Sequence, residues 1–263
     1  MKRPALMGIV NVTPDSFSGD GVREAEAAIR QAQAMVQQGA DIIDLGAEST
    51  RPDAIPLTAA QEWVRLAPVL EGIMVADWRT QTRLSIDTRH PETAARTLTL
   101  GVEIINDVGG LTDETMCELL GEHDCDVVVM HALGIPADRA RTLPEGCDVV
   151  QVLLQWKDAV TQRARTRGIA PERLIYDVGI GFGKTAAQSL ALIQSAALLR
   201  KSGGRWLYGH SRKSFLGLFT HGDAAERDDL TLAFSAQLAQ AEVDYLRVHA
   251  VARHARLFGQ LCT

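Results

Sequence analysis

Asn11, Glu48-Ser49-Thr50-Arg51, Asp87-Thr88, Asn106-Asp107, His131, Asp177, Ser211-Arg212-Lys213 and the pair Arg247 and His249 each follow a short apolar run. They divide into two chemistries. Asn11, Lys213, Arg247 and His249 offer donors and positive charge that suit phosphate or diphosphate oxygens. Asp87, Asn106 and Asp177 are acceptor-rich, and a carboxylate is costly to bury without donors. A heterocycle with an amino group beside a ring N–H presents two parallel donors to one carboxylate. The two sets together point to a nitrogen heterocycle carrying a phosphorylated arm. Gly179-Ile180-Gly181-Phe182-Gly183-Lys184 lacks the spacing of a Walker loop. Its glycines are read as letting backbone approach a flat ligand, with Phe182 as an apolar wall. Taken singly, each polar residue is as readily a turn residue or a helix N-cap. Arg247 has a surface ion pair as its blander reading, and His249 a place at a helix entry. Asp44 and Asp107 are read as braces, and His131 as a satisfied histidine beside the pocket. The run Arg163-Ala164-Arg165-Thr166-Arg167 is read as a solvated helix face.

The elements that carry these residues alternate along the chain. Apolar runs over 5–10, 41–45, 84–87, 102–106, 126–130, 174–177, 206–209 and 245–248 read as strands. Helical spacing covers 23–38, 58–76, 91–100, 113–120, 147–167, 186–201, 229–241 and the stretch from 250 onward. Thr58 is a plausible N-cap, Pro91 sits in a first turn, and Gly39 and Gly168 close helices. Strictly alternating strand and helix means a parallel sheet with both faces covered. Eight units of about 33 residues favour one closed (β/α)8 TIM barrel over an open sheet. In such a barrel, chemistry sits at the carboxyl ends of the strands, where the polar residues fall. The strand beginnings offer nothing comparable.

Composition sets the outer bounds. The 263 residues are 46% apolar and 23% charged, which excludes a disordered tail, a fibre or a disulfide knot. Lys plus Arg is 27 against 33 for Asp plus Glu, a net charge of -6. That balance argues against nucleic acid or an anionic membrane as the main partner. Apolar runs are far short of the roughly 20 residues that span a bilayer. The start of the chain leads straight into a strand, with no signal-peptide pattern. Four cysteines without metal-type spacing suit a reducing cytoplasm.

One family resemblance joins these motifs. Asn11-Val12-Thr13-Pro14-Asp15-Ser16-Phe17-Ser18, Glu48-Ser49-Thr50-Arg51-Pro52, Ser85-Ile86-Asp87-Thr88, Ile105-Asn106-Asp107, Met130-His131, Asp177 to Lys184, Ser211-Arg212-Lys213-Ser214 and Arg247-Val248-His249 resemble dihydropteroate synthase, in order and over nearly the whole chain. The resemblance implies a transferase that joins 4-aminobenzoate to 6-hydroxymethyl-7,8-dihydropterin diphosphate, releasing diphosphate. It places the pterin among Asp87, Asn106, Asp177 and Lys213, and the diphosphate against Asn11, Thr50, Arg247 and His249, with Mg2+ on Asn11. It places the aminobenzoate near Phe17, Thr50, Arg51, Pro52, Phe182, Lys213 and Ser214, and gives Asp87, Lys213, Arg247 and His249 catalytic roles. A homodimer is implied in the same way. The rivals are a non-catalytic pterin-binding paralogue and a related pterin-binding methyltransferase. The chain departs from the pattern at Val178, where proline is usual, and at Asp20 and Asp53 in the first two loops. It departs again at His210, usually small or apolar, and at Ala250, where an acid that could orient the preceding histidine is common.

Overall fold

The computed structural model describes residues 3–12, 21–50, 54–138 and 140–261. Eight parallel strands close a barrel in sequence order: β1 Ala5–Asn11, β2 Ile42–Gly46, β3 Arg83–Asp87, β4 Ile104–Asp107, β5 Asp126–Met130, β6 Leu174–Asp177, β7 Arg205–Tyr208 and β8 Tyr245–Val248. β8 pairs back onto β1, with Met7 opposite Arg247. Helices α1 Gly21–Gln37, α2 Ala59–Met74, α3 Pro91–Thr99, α4 Glu114–Glu122, α5 Val149–Thr166, α6 Ala186–Gln194, α7 Ala196–Lys201, α8 Ala224–Gln240 and α9 Val251–Leu261 connect the strands. The (β/α)8 barrel expected from the alternation is therefore the fold.

Thr58 caps α2 as expected. Its Oγ1 accepts from Gln61 N at 3.3 Å, and the Gln61 side chain accepts from Thr58 N at 2.9 Å. Two helices differ from the sequence reading. The expected 186–201 helix is broken at Ser195, whose ψ of 13° turns the chain out of helical register. α8 starts five residues before position 229, because Asp223 Oδ1 accepts from Glu226 N at 3.2 Å and caps an earlier turn.

Alternation along the strands sorts the core into two bodies. Outward-facing Leu6, Val10, Ile43, Leu45, Leu84, Val127, Val129, Tyr176 and Trp206 join the helices in one large cluster. Inward-facing Met7, Ile42, Ile104, Val128, Ile175 and Leu207 form a plug that fills the barrel, with Tyr245 beside it. Strands buried on both faces read as continuous apolar runs, which is why their two faces cannot be separated by hydropathy alone.

Below the plug the strand beginnings are not featureless, contrary to expectation. Arg83 Nη2 and Arg205 Nη2 hold the two oxygens of Asp126 at 2.8 and 2.6 Å. Position parity puts these residues two steps before the plug, inside the barrel, where charge must be paired. A cleft of about 540 Å3 opens at this end, lined by Arg83, Glu103, Asp126 and Arg173 among others. Its arginines are already taken by Asp126 and by the carbonyls of Cys125 and Leu120.

Candidate active site

Two residues above the plug, the same inward-facing positions turn polar. Asp44, Asp87, Asn106, Asp177 and Arg247 follow Ile42, Ser85, Ile104, Ile175 and Tyr245 on their strands. The barrel thus ends in a cup with an apolar floor and walls of acceptors.

Arg247 is the centre of the cup. Its Nε donates to Asp44 Oδ2 at 2.6 Å and its Nη2 to Asp87 Oδ2 at 2.7 Å. Asn106 Nδ2 donates to the same Asp44 oxygen at 3.2 Å. Against the cost of burial, Asp44 and Asp87 raise the Arg247 pKa and keep it charged. Burial pushes the Asp87 carboxyl up to about 7 against the pull of Arg247, and Asp44 and Glu62 add to the rise. Across the cup, Asp177 Oδ1 accepts from Gly179 N at 2.8 Å. Burial raises its pKa too, while Gly179, Arg247 and Lys213 act in the opposite direction. Asp44 Oδ1, Asn106 Oδ1 and Ser85 Oγ are buried with no hydrogen-bond partner among the described residues. Buried acceptors in such number are costly unless a ligand brings donors to them.

The glycine segment forms one wall. Gly179, Gly181 and Gly183 all have positive φ, at 65°, 82° and 68°. A side chain at Gly179 would also collide with the His131 carbonyl. Lys184, 6% exposed, reaches under the segment. Its Nζ meets the carbonyls of His131, Gly179 and Phe182 at 3.0–3.1 Å and His131 Nδ1 at 2.8 Å. Burial lowers the Lys184 pKa to about 7 and the His131 pKa to about 3. His131 is thus the satisfied histidine that the sequence suggested. Phe182 packs with Val108 and Met130, and Lys213 Nζ stands 4.4 Å from its ring centre.

At the rim, the loop after β7 is pinned by Arg212. This residue has a φ of 59° and holds Asp228 through two bonds of 2.8 Å. Ser211 Oγ lies 3.0 Å from His249 Nδ1. Burial takes the His249 pKa down to about 4, helped by Arg212 and Arg247, so the ring is neutral at pH 7. Asn11 is exposed at the end of β1, next in register to Gly46, which is in turn opposite Asp87. Thr50 stands at the rim with its carbonyl accepting from Ala137 N at 3.2 Å. Ser214 is exposed at the start of a short turn. Phe17, Arg51 and Pro52 lie outside the described residues, as do Asp20 and Asp53.

Asp87, Asn106, Asp177, Lys213, Arg247 and His249, from four strands and the loops after β7 and β8, therefore meet at one end of the barrel. Arg247 departs from its sequence grouping. Its guanidinium belongs to the acid layer through two buried bonds, not to a surface ion pair, and only Nη1 is without a partner among the described residues. Asp44 is the brace expected, holding Arg247 and Asn106, and is in addition a fully buried wall of the cup. The signal that finds it is parity with Ile42, which marks it as inward-facing. Asp107 is a brace as expected, accepting from Gly109 N and Leu111 N at 2.8 and 2.6 Å. Glu48 is turned away from the cup onto Arg89 and Leu57 N. The arginine run is not wholly solvated: Arg163 donates to the carbonyls of Gly110 and Leu111, and Arg167 to Glu114 and Glu118. No helix among the described residues is long and apolar enough to cross a membrane.

Comparison with known proteins agrees with this geometry. Residues 7–249 match the family described as pterin binding enzyme. The chain is 40% identical over 251 residues to a probable bifunctional folylpolyglutamate synthase/dihydropteroate synthase of Halobacterium salinarum, covering 95% of this chain but only 30% of that protein. It is 37% identical to the dihydropteroate synthase of Neisseria meningitidis serogroup C, covering 95% of this chain and 89% of the relative. The crystal structure of dihydropteroate synthase from Anaplasma phagocytophilum with bound 6-hydroxymethylpterin-monophosphate superposes with a TM-score of 0.90, at 35% identity and full coverage of both chains. That of Xanthomonas albilineans dihydropteroate synthase with 4-aminobenzoic acid gives 0.89 at 34% identity, covering 99% of this chain and 93% of that one. The chain belongs to the dihydropteroate synthase family of pterin-binding enzymes.

Proposed function

We propose that the chain is a transferase that condenses 6-hydroxymethyl-7,8-dihydropterin diphosphate with 4-aminobenzoate, giving 7,8-dihydropteroate and diphosphate for folate synthesis. The observation that carries this reading is the acceptor surplus of the cup, with Asp44 Oδ1 and Asn106 Oδ1, unpartnered among the described residues, beside Asp177. A pterin offers the missing donors in one plane. Asp177 takes the ring N–H and the amino group, Asn106 and Asp44 take the remaining edge, and Phe182 with Lys213 covers a face. Arg247 Nη1, Asn11, Thr50 and neutral His249 at the rim receive the diphosphate. The aminobenzoate enters over Phe182, Lys213 and Ser214, with Phe17, Thr50, Arg51 and Pro52 completing its site.

In the reaction the bond between the pterin methylene carbon and the diphosphate oxygen breaks, and its electron pair leaves with diphosphate. The arylamine nitrogen then bonds to that carbon and loses a proton. Acidic walls at Asp87 and Asp177 favour the positive charge on the pterin, while Arg247 and His249 stabilise the negative charge on the leaving group. The arylamine is unprotonated near neutrality and needs no strong base. Asn11 fits a divalent cation by its chemistry: a neutral amide oxygen, exposed and without a partner among the described residues, joined by phosphate oxygens and water. Mg2+ held there would offset charge on the departing diphosphate. Action as a homodimer in the cytoplasm completes the proposal.

Mixing both substrates with the protein and measuring diphosphate release tests it. Release dependent on both substrates is the expected result. Pterin binding without release would favour a non-catalytic paralogue, and methyl transfer to a corrinoid protein would favour the methyltransferase.

A further inference from the structure

Behind the rim lies a row of buried polar groups that the pterin chemistry leaves unused. His210, Ser235 and His254 are 0%, 0% and 1% exposed. They come from the loop after β7, from α8 and from α9. His210 Nε2 lies 2.9 Å from Ser235 Oγ, and Ser235 Oγ lies 2.9 Å from His254 Nε2. His254 Nδ1 lies 2.8 Å from the Ala250 carbonyl.

The protons can be counted. A carbonyl only accepts, so His254 carries its proton on Nδ1 and accepts at Nε2. The Ser235 proton is shared between that Nε2 and the Thr231 carbonyl at 2.8 Å. His210 donates through Nε2–H to Ser235 Oγ and, at 3.3 Å, to the Thr231 carbonyl, while its Nδ1 has only a long 3.4 Å contact with the Tyr208 carbonyl and is counted without a proton. Both rings are neutral in this count, and burial lowers the pKa of each, that of His210 to about 4.

Each end of the row abuts a residue of the rim. His210 is followed by Ser211, whose Oγ accepts from His249 N at 3.4 Å and lies 3.0 Å from His249 Nδ1. At the other end, Ala250 is the residue after His249, and its methyl group can orient nothing. Through its carbonyl, however, the start of α9 is tied back to the β7 loop. Nε2 of His249 has no partner among the described residues.

We propose that His210, Ser235 and His254 are positioning residues, a buried clamp that holds Ser211 against Nδ1 of His249. The Ser211 hydroxyl receives the His249 main-chain N–H and gives its own proton to Nδ1. His249 therefore keeps its other proton on Nε2 and presents a fixed donor to the leaving diphosphate. The inference rests on the reading of His249 as a diphosphate ligand. It assigns to His210, Ser235 and His254 the orienting work that a side chain at position 250 does not supply.

The test uses the full chain with Ser235→Ala, Ser235→Thr and His249→Ala. Proton–nitrogen correlation spectra report the His249 ring, assigned by its loss in His249→Ala, and steady-state kinetics give KM for each substrate. The wild type should show the Nε2–H form. Ser235→Ala should mix the two tautomers and raise KM for the pterin diphosphate about 3- to 10-fold, leaving KM for 4-aminobenzoate unchanged. Ser235→Thr, which keeps the hydroxyl, should restore both readouts. An Nδ1–H ring in the wild type would overturn the proposal. So would a Ser235→Ala protein that unfolds more easily yet keeps the wild-type ring signals and KM, because the row would then serve packing alone. Should Ser235→Ala not fold, Ser211→Ala breaks the same link nearer the surface, and an unmoved His249 ring there would also overturn it. A tautomer shift in Ser235→Ala, with pterin-diphosphate KM unaffected in His249→Ala, would leave the clamp standing and refute only the diphosphate role of His249.

Discussion

Replacing Arg247 by methionine removes the one cation that Asp44 and Asp87 share. Its bonds to them are 2.6 and 2.7 Å long, and Asp44 is fully buried. Breaking a buried pair in this way typically costs about 3–5 kcal/mol near neutral pH. The pH dependence is the sharper signature. Once Arg247 is gone, Asp44 is a fully buried carboxylate with no counter-ion, a situation that favours its protonated form, so the variant must take up a proton there too. In the intact protein Asp87, at about 7, already holds its proton over most of the interval from pH 5 to 7. The variant therefore binds about one proton more than the wild type there. A carboxyl whose folded pKa is raised loses stability as pH climbs from the unfolded value toward the folded one. The deficit of Arg247→Met should grow by about 1.4 kcal/mol per pH unit, or about 3 kcal/mol from pH 5 to 7. Urea unfolding of both proteins at pH 5, 6 and 7 measures it. The double variant Asp44→Asn/Arg247→Met, with one carboxyl fewer, should show a nearly flat difference. A deficit in Arg247→Met that does not change with pH would refute the assignment of Arg247 as the counter-ion of an ionised acid in the cup.

Three further outcomes follow from the site. Lys213→Ala should lower turnover and pterin affinity together, since its Nζ stands over Phe182 beside the acid wall; calorimetry with the pterin diphosphate and initial rates test this. Asp177→Asn should weaken pterin binding by about 30-fold or more through loss of a charge-assisted double contact, with little change in 4-aminobenzoate binding measured by fluorescence. His210 is fully buried and neutral, with a pKa of about 4 against the ordinary 6.5, so it contributes stability above pH 6.5 that is lost as pH falls toward 4. His210→Met should accordingly shrink the loss of urea stability between pH 7 and 4.5 by about 2–3 kcal/mol.

The barrel was legible because each apolar run stopped on a polar residue and each helix carried its own punctuation, such as Thr58 with Gln61 or the glycine at 168. The convergence of Asp87, Asn106, Asp177, Lys213 and Arg247 followed from the strand-end rule alone. The partnership of Arg247 with Asp44 did not. Two residues 203 positions apart meet only because β8 closes onto β1, and hydropathy says nothing of which face either presents. The charged layer of Arg83, Asp126 and Arg205 was missed for a similar reason: at a strand start, charge reads as loop. His210 stood out only as a departure. Its partners Ser235 and His254 lie on separate helices, where a serine and a histidine look like ordinary filler until packing brings them together.

The apolar plug has a consequence for solvent. Met7, Ile42, Ile104, Val128, Ile175 and Leu207 stop the barrel like a cork, and the ion trio beneath is knotted to itself. Among the described residues the plug closes the route for water from below, so the wetness of the cup is decided at its open mouth. On the proposed reaction, the lifetime of a cation formed there would depend on the access of water at that mouth alone.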